Sequence, residues 1–388
     1  MDLNRTPPRH SLATRIGETG LKLHRCDSAC WAADHAGGSG AVVRRRNRSL
    51  TVDVHAHALV PEADLLVKDR PEKLAEAGAQ RRAVGVASTD YNVTTMRPTV
   101  FPKLTSVEDR LRDMDELGID IQVVSPTSLQ HYYWADHDLA RELVRVTNET
   151  IAERCARHPD RLVGLGNVAL QHPALAVEQL EYCTRRLGMR GVEISTAING
   201  VELDDAAFAP FWAKAEEIGC VVFIHPSDIS SLGERINRFY LQNIIGRPIE
   251  TTIALSHLIF GGVLDRHPGL KILAAHGGGY LPFYAGRSDH GYAVRPEAHT
   301  PERPPSEYLR RIFFDSLVYS PGSLGHLVAN VGVGQVVLGT DYPYDMGAYE
   351  TADLLQAAGL GEAEQAAVLG GNAVGLFGLE ALAARQAR

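Results

Sequence analysis

From residue 50 onward the chain alternates short apolar runs with amphipathic stretches, and the alternation repeats about eight times. The first run, Thr51-Val-Asp-Val-His-Ala-His57, has the two-residue period of a strand. That period predicts His55 and His57 on one face with Val52 and Val54 on the other. Further strands are predicted at Asp120–Ser125, Leu162–Val168, Gly191–Ser195, Cys220–His225, Lys271–His276, Ile312–Ser316 and Gln335–Asp341. Helical spacing lies between them, over Leu139–Arg157, Ala174–Leu187, Asp205–Ile218, Ile249–Leu264, Pro305–Arg311 and Pro321–Val331. Thr105-Ser-Val-Glu108 reads as a capping box opening a helix that carries Leu111, Met114 and Leu117, with Gly118 as its stop. The stretch from Pro61 to Pro102 follows neither period and is expected to be a long irregular insertion after the first strand.

Strands each followed by a helix predict a (β/α)8 TIM barrel, an α/β fold closed by parallel strands. A doubly wound open sheet has the same period, so the polar residues must separate the two folds. In a barrel the reactive groups gather where the strands end. Here His55 and His57 end the first strand, His225 the fifth, His276 the sixth and Asp341 the eighth. Three imidazoles and a carboxylate, His55, His57, His225 and Asp341, suit a transition metal such as zinc, with His276 beside them. Two-metal barrels need a bridging anion, often a carboxylated lysine, at the middle strands. Gly191-Val-Glu-Ile-Ser195 has no lysine, and Glu193 lies inside the run, so one ion per chain is expected, with water in an open position.

Composition narrows the partners. With 388 residues, 45% hydrophobic and 22% charged, the chain is ordinary for a globular protein. A net charge of -8 provides no basic surplus for nucleic acid or an anionic membrane, which leaves a small molecule as the expected partner. Five cysteines, odd in number and scattered, do not form a disulfide framework, and no apolar run is long enough to span a bilayer or serve as a signal peptide. A cytoplasmic protein is expected. Residues 1–49 carry Pro7-Pro8, a Gly37-Gly38-Ser39-Gly40 run and Arg44-Arg45-Arg46, and are expected to be a disordered extension ahead of a single barrel domain over 50–388. His24, Cys26 and Cys30 lack the second ligand pair that a metal site would need.

The set His55-Ala-His57, His225-Pro-Ser-Asp228, His276-Gly-Gly-Gly279 with Gly286-Arg287, Gly339-Thr-Asp-Tyr-Pro343 and Gly371-Asn-Ala-Val-Gly-Leu-Phe377 resembles the amidohydrolase superfamily. Within it the likeness is to aminocarboxymuconate-semialdehyde decarboxylase and its relatives, from about Leu50 to the C-terminus. The resemblance implies a zinc ion on His55, His57, His225 and Asp341, His276 as general acid/base, and loss of carbon dioxide from an unsaturated or aromatic carboxylic acid. It also implies that Arg287 reaches the substrate of a neighbouring subunit, hence a homodimer, and that Arg97 is a second substrate-binding arginine. Ser227 stands where the family has tryptophan, and Tyr344-Asp345 where it has Phe-Pro, so the substrate is expected to differ. A hydrolase or hydratase on the same scaffold, in which Asp341 or His276 moves the proton, and manganese in place of zinc, are the alternatives. His131, His137, His257 and His290 are expected to be structural or solvent-facing, with His131 near Trp134 able to line the pocket.

Overall fold

The β-branched and apolar runs fold as eight short parallel strands: β1 (Val52–Ala58), β2 (Ile121–Pro126), β3 (Leu162–Gly164), β4 (Gly191–Ile194), β5 (Val221–Ile224), β6 (Lys271–Ala274), β7 (Phe313–Asp315) and β8 (Val336–Val337). They come from a computed structural model that describes residues 49–227 and 230–386. The extension, apart from Ser49, lies outside the described residues, as do His24, Cys26, Cys30 and Asp228. Ladders join β1 to β2 and β2 to β3, and run from β4 through β5, β6 and β7 to β8. Two seams close the ring. Gly166 bridges to Val192 and Ala56 to Tyr342, and the amide of Val54 donates to Leu338 O at 2.9 Å. The sheet is therefore a closed barrel, and the open doubly wound alternative is excluded.

Alternate residues of each strand serve two cores. Val192, Ile194, Val222, Ile224, Ile272 and Ala274 face outward onto the helices and pack with Leu175, Leu180, Phe211 and Trp212. Ile121, Val123, Leu165, Val221, Phe223 and Leu273 fill the interior, and Ala373, Leu376, Phe377 and Leu382 from the C-terminal helices close its floor. None of the described helices is long and apolar enough to cross a membrane.

Three expectations need correction. In β1 the register slips between Asp53 and Ala56, so that two residues, Val54 and His55, oppose one on β2. Val52 and Val54 accordingly share the interior with Ile121 and Val123 instead of facing away from the histidines. The stretch from Pro61 to Pro102 is not irregular: helices run over Pro61–Val67, Pro71–Val84, Val86–Tyr91 and Arg97–Thr105, with one π turn at Asn92–Met96. Its prolines stand mostly in first turns, where the missing amide costs nothing, and Pro71–Val84 buries only Val84, so no apolar stripe betrays it. The capping box shifts by one residue. Ser106 caps the helix Val107–Leu117 by accepting from the amide of Asp109 at 3.0 Å, and Gly118 ends it in the left-handed conformation.

Phe377 is 3% exposed within the floor cluster. Phe377→Ala is expected to destabilise the protein by about 3–5 kcal/mol, measured as a lowered midpoint of chemical denaturation. An unchanged midpoint would show that the floor does not depend on this ring.

Candidate metal centre

Strand ends bring the imidazoles together. His55 and His57 leave β1 on the same side, ring centroids 5.1 Å apart, and His225 follows β5 directly with its ring 4.8 Å from His57. Each β1 histidine is fixed by a partner on its outer nitrogen. His55 Nδ1 lies 2.6 Å from Asp315 Oδ2, and His57 Nδ1 lies 3.3 Å from the carbonyl of Pro126. In the tautomers that donate both Nδ1 protons outward, the two Nε2 lone pairs face each other across 3.1 Å. Asp341 Oδ1 stands 3.4 Å from one and 3.3 Å from the other. One ligand atom from each of His55, His57, His225 and Asp341 lies within 4.8 Å of the rest, and all four residues are buried.

That geometry fits a cation. Buried lone pairs aimed at one another are unfavourable unless something positive sits between them, and Asp341 Oδ1 and His225 Nδ1 are buried with no hydrogen-bond partner. The charges point the same way. Burial pulls the His55 imidazole down, but the Asp341 and Asp315 carboxylates outweigh it and lift the group to about 10. Burial would raise Asp341, yet His55, His276 and His57 hold it well below the usual carboxylate range. In effect the site attracts positive charge. Three imidazoles and one carboxylate are a transition-metal donor set.

Asp315, the last residue of β7, organises the centre. Besides holding His55, it accepts from the backbone amides of His276 at 2.9 Å, Gly277 at 2.8 Å and Leu317 at 3.1 Å. These bonds fix His276 in a left-handed conformation, φ 55°, and its Nε2 stands 3.9 Å from Asp341 Oδ2. Burial lowers the His276 imidazole, with Asp341 opposing. Asp341 is left-handed too, at φ 58°, and backbone strain of this kind collects at functional sites. A second carboxylate, Asp53, accepts from His55 N, Thr340 N, Thr340 Oγ1 and Gln122 Nε2. Arg110 extends that network from Gln122 Oε1 to the carbonyl of His57.

The remaining predicted residues separate into two groups. Tyr344 stands in the site, its ring 5.6 Å from His57 and its hydroxyl 2.7 Å from Thr127 Oγ1. Ser227 lies at the end of β5 and bonds Ser195 Oγ at 2.5 Å. Arg287 and Arg97, by contrast, are exposed on the helices Ala285–Val294 and Arg97–Thr105, so Arg97 is not on a loop. His131 belongs with the site rather than the surface: it is 6% exposed, with Nε2 3.4 Å from Glu193 Oε1. Glu193, set aside as lying inside its strand, is fully buried, accepts from Ser125 Oγ at 2.5 Å and comes within 3.6 Å of His57 Nδ1. Burial raises Glu193, but His131 and His57 outweigh it and keep the group below its ordinary range. Asp53, Glu193 and Asp315 share one overlooked signal, a carboxylate inside an apolar strand run, fully buried in each case, which a chain tolerates only where partners wait for it.

Residues 52–379 match the model of the amidohydrolase family. The 2-amino-3-carboxymuconate-6-semialdehyde decarboxylase of Dictyostelium discoideum is 32% identical over 345 residues, covering 86% of this chain and 93% of that protein. The gamma-resorcylate decarboxylase of Rhodococcus jostii is 28% identical, covering 72% and 89%. Among solved structures, 5-carboxyvanillate decarboxylase from Sphingomonas paucimobilis superposes with a TM-score of 0.73 at 27% identity, covering 84% of this chain and 98% of that one. The enzyme of the same name from Novosphingobium aromaticivorans, solved with manganese and 4-hydroxy-3-methoxy-5-nitrobenzoic acid, gives 0.76 at 25% identity over 86% and 97%. With the match running from β1 to the helices that close the barrel floor, the chain belongs to the amidohydrolase family, in its aminocarboxymuconate-semialdehyde decarboxylase-like group.

Proposed function

We propose that the protein is a metal-dependent, non-oxidative decarboxylase of an unsaturated or aromatic carboxylic acid. The observation that carries this reading is the convergence of His55, His57, His225 and Asp341 with a further imidazole, His276, aimed at the same point. The kinship with named decarboxylases supports it. The four ligands hold one ion, zinc by the character of the donor set, with manganese as the alternative because it occupies a similar structure. When bound, the ion supplies Lewis acidity that polarises a substrate oxygen.

The chain's own residues do the rest. Breaking the bond to the departing carboxylate leaves its electron pair on carbon, and a proton must arrive there. His276 delivers that proton from Nε2, the nitrogen facing Asp341. Asp341 orients the ring, and Asp315 fixes the backbone on which it stands. Tyr344 and Ser227 shape the substrate's surroundings and account for a substrate distinct from that of the family enzyme. Arg287, exposed in one chain, pairs with the substrate of a second copy in a homodimer. Three buried cysteines without disulfides, Cys155, Cys183 and Cys220, suit a reducing cytoplasm.

The reading is tested by carbon dioxide release from a panel of carboxymuconate semialdehydes, hydroxybenzoates and unsaturated dicarboxylates. No release from any of them would overturn it. His276→Ala is expected to retain about one ion per chain by metal analysis and to lose turnover by roughly 10²–10⁴-fold; near-normal turnover would remove His276 from the proton step. Asp315→Asn should weaken metal affinity roughly 10–100-fold in a chelator competition. An unshifted competition curve would reduce Asp315 to a structural group. Arg287→Ala should raise KM about tenfold or more at unchanged metal content, and the native protein should sediment as a dimer; a monomer with an unaffected KM would contradict the shared site.

A further inference from the structure

A carboxylic acid held over the ligand cluster calls for a cation close by, and Arg97 and Arg287 are exposed in this chain. Arg247 stands nearer. It opens the helix Arg247–Phe260, and its Nη1 donates to the carbonyl of Pro226 at 2.5 Å, the residue that follows His225. The same helix start packs against the loop that carries His276. Thr252 Oγ1 accepts from the amide of Tyr280 at 2.8 Å, and a Cβ on Gly279 would fall 2.0 Å from the carbonyl oxygen of Pro248. Arg247 is thus placed at the ends of β5 and β6, beside one metal-ligand candidate and behind the proposed proton donor.

Its hydrogen bonding is incomplete. A guanidinium has five N–H donors, yet among the described residues the bond to Pro226 is its one side-chain hydrogen bond, and its Nε is buried without a partner. A buried N–H left unmet costs free energy, and on a half-buried guanidinium such a donor persists where a ligand completes the group. The charge is felt across the mouth of the barrel. Burial raises the Tyr240 hydroxyl, and Arg247 opposes that shift.

We propose that Arg247 pairs with a carboxylate of the substrate, and that this carboxylate is the one retained in the product. The assignment rests on the decarboxylase reading. A cation on the departing carboxylate would stabilise the reactant and lose its partner as the anion becomes neutral carbon dioxide, which raises the barrier. On a retained carboxylate the pairing is unchanged throughout: the C–C bond breaks, its electrons stay on carbon and take up a proton, carbon dioxide leaves, and the guanidinium keeps its anion. Planar two-oxygen recognition suits the fork of arginine. The substrate class that follows is an unsaturated or aromatic acid with two carboxylates, one lost and one held.

The test is calorimetric binding of isophthalate and of benzoate to the metal-loaded protein. Both probes offer one carboxylate to the site, and only isophthalate offers a second. The native protein should bind isophthalate roughly 10–100-fold more tightly. Arg247→Met should abolish that difference and leave benzoate affinity within about twofold. A difference that survives, or an equal loss for both probes, overturns the proposal, the latter because it would place Arg247 on the carboxylate that both share. Arg247→Lys, which keeps the charge without the fork, should give a partial loss, and it decides the matter if the methionine variant does not fold. A difference that depends on Arg247 in a protein that releases carbon dioxide from no acid would sink the decarboxylase reading while leaving the anion site in place.

Discussion

The carboxylate of Asp315 is the interaction on which the centre depends. One side chain at the end of β7 binds the His55 imidazole and three backbone amides, those of His276, Gly277 and Leu317. It therefore sets the tautomer of a ligand from β1 and the path of the chain after β6 together. Burial would raise such a group, but the bonds it accepts and the His55 ring outweigh burial and keep it anionic. A closed barrel makes this economical, because strands far apart in sequence lie side by side at one rim.

Around that carboxylate the site is layered. Asp53, Thr340, Gln122 and Arg110 form a chain of hydrogen bonds behind β1, so the two ligands it carries are held from the backbone as well as from their rings. Glu193 and His131 flank the opposite side of His57. Negative groups outnumber the positive ones that the chain itself supplies here, which is the electrostatic arrangement expected around a cation.

Much of this was legible in the sequence. All eight strands fall where the apolar runs place them, and the four ligand candidates meet because each lies in, or shortly after, a strand of one barrel. What escaped has physical causes. The helices after β1 are short, begin at prolines and expose most of their surface, so their pattern carries little apolar period. A bulge leaves no mark in a string of letters, since Thr51-Val-Asp-Val-His-Ala-His57 reads as perfect alternation. Glu193 and Asp315 looked like strand interior because their significance comes from partners 68 and 260 residues away. Arg247 sits on a helix start whose sequence gives no hint of which strand end it will face.

The bulge in β1 has a consequence for the field inside the barrel. Without it, valine and histidine would lie on opposite faces; with it, Val54 and His55 share the inner face and the lining changes from hydrocarbon to ionised groups within one residue. The floor beneath, packed with Phe223, Leu273 and Phe377, is a low-dielectric wall. Charge placed against such a wall is poorly screened from that side, so the potential of the ligand cluster is directed outward through the open end of the barrel. An arriving cation meets that field only at the rim, which gives the metal ion a preferred direction of approach before it touches any residue.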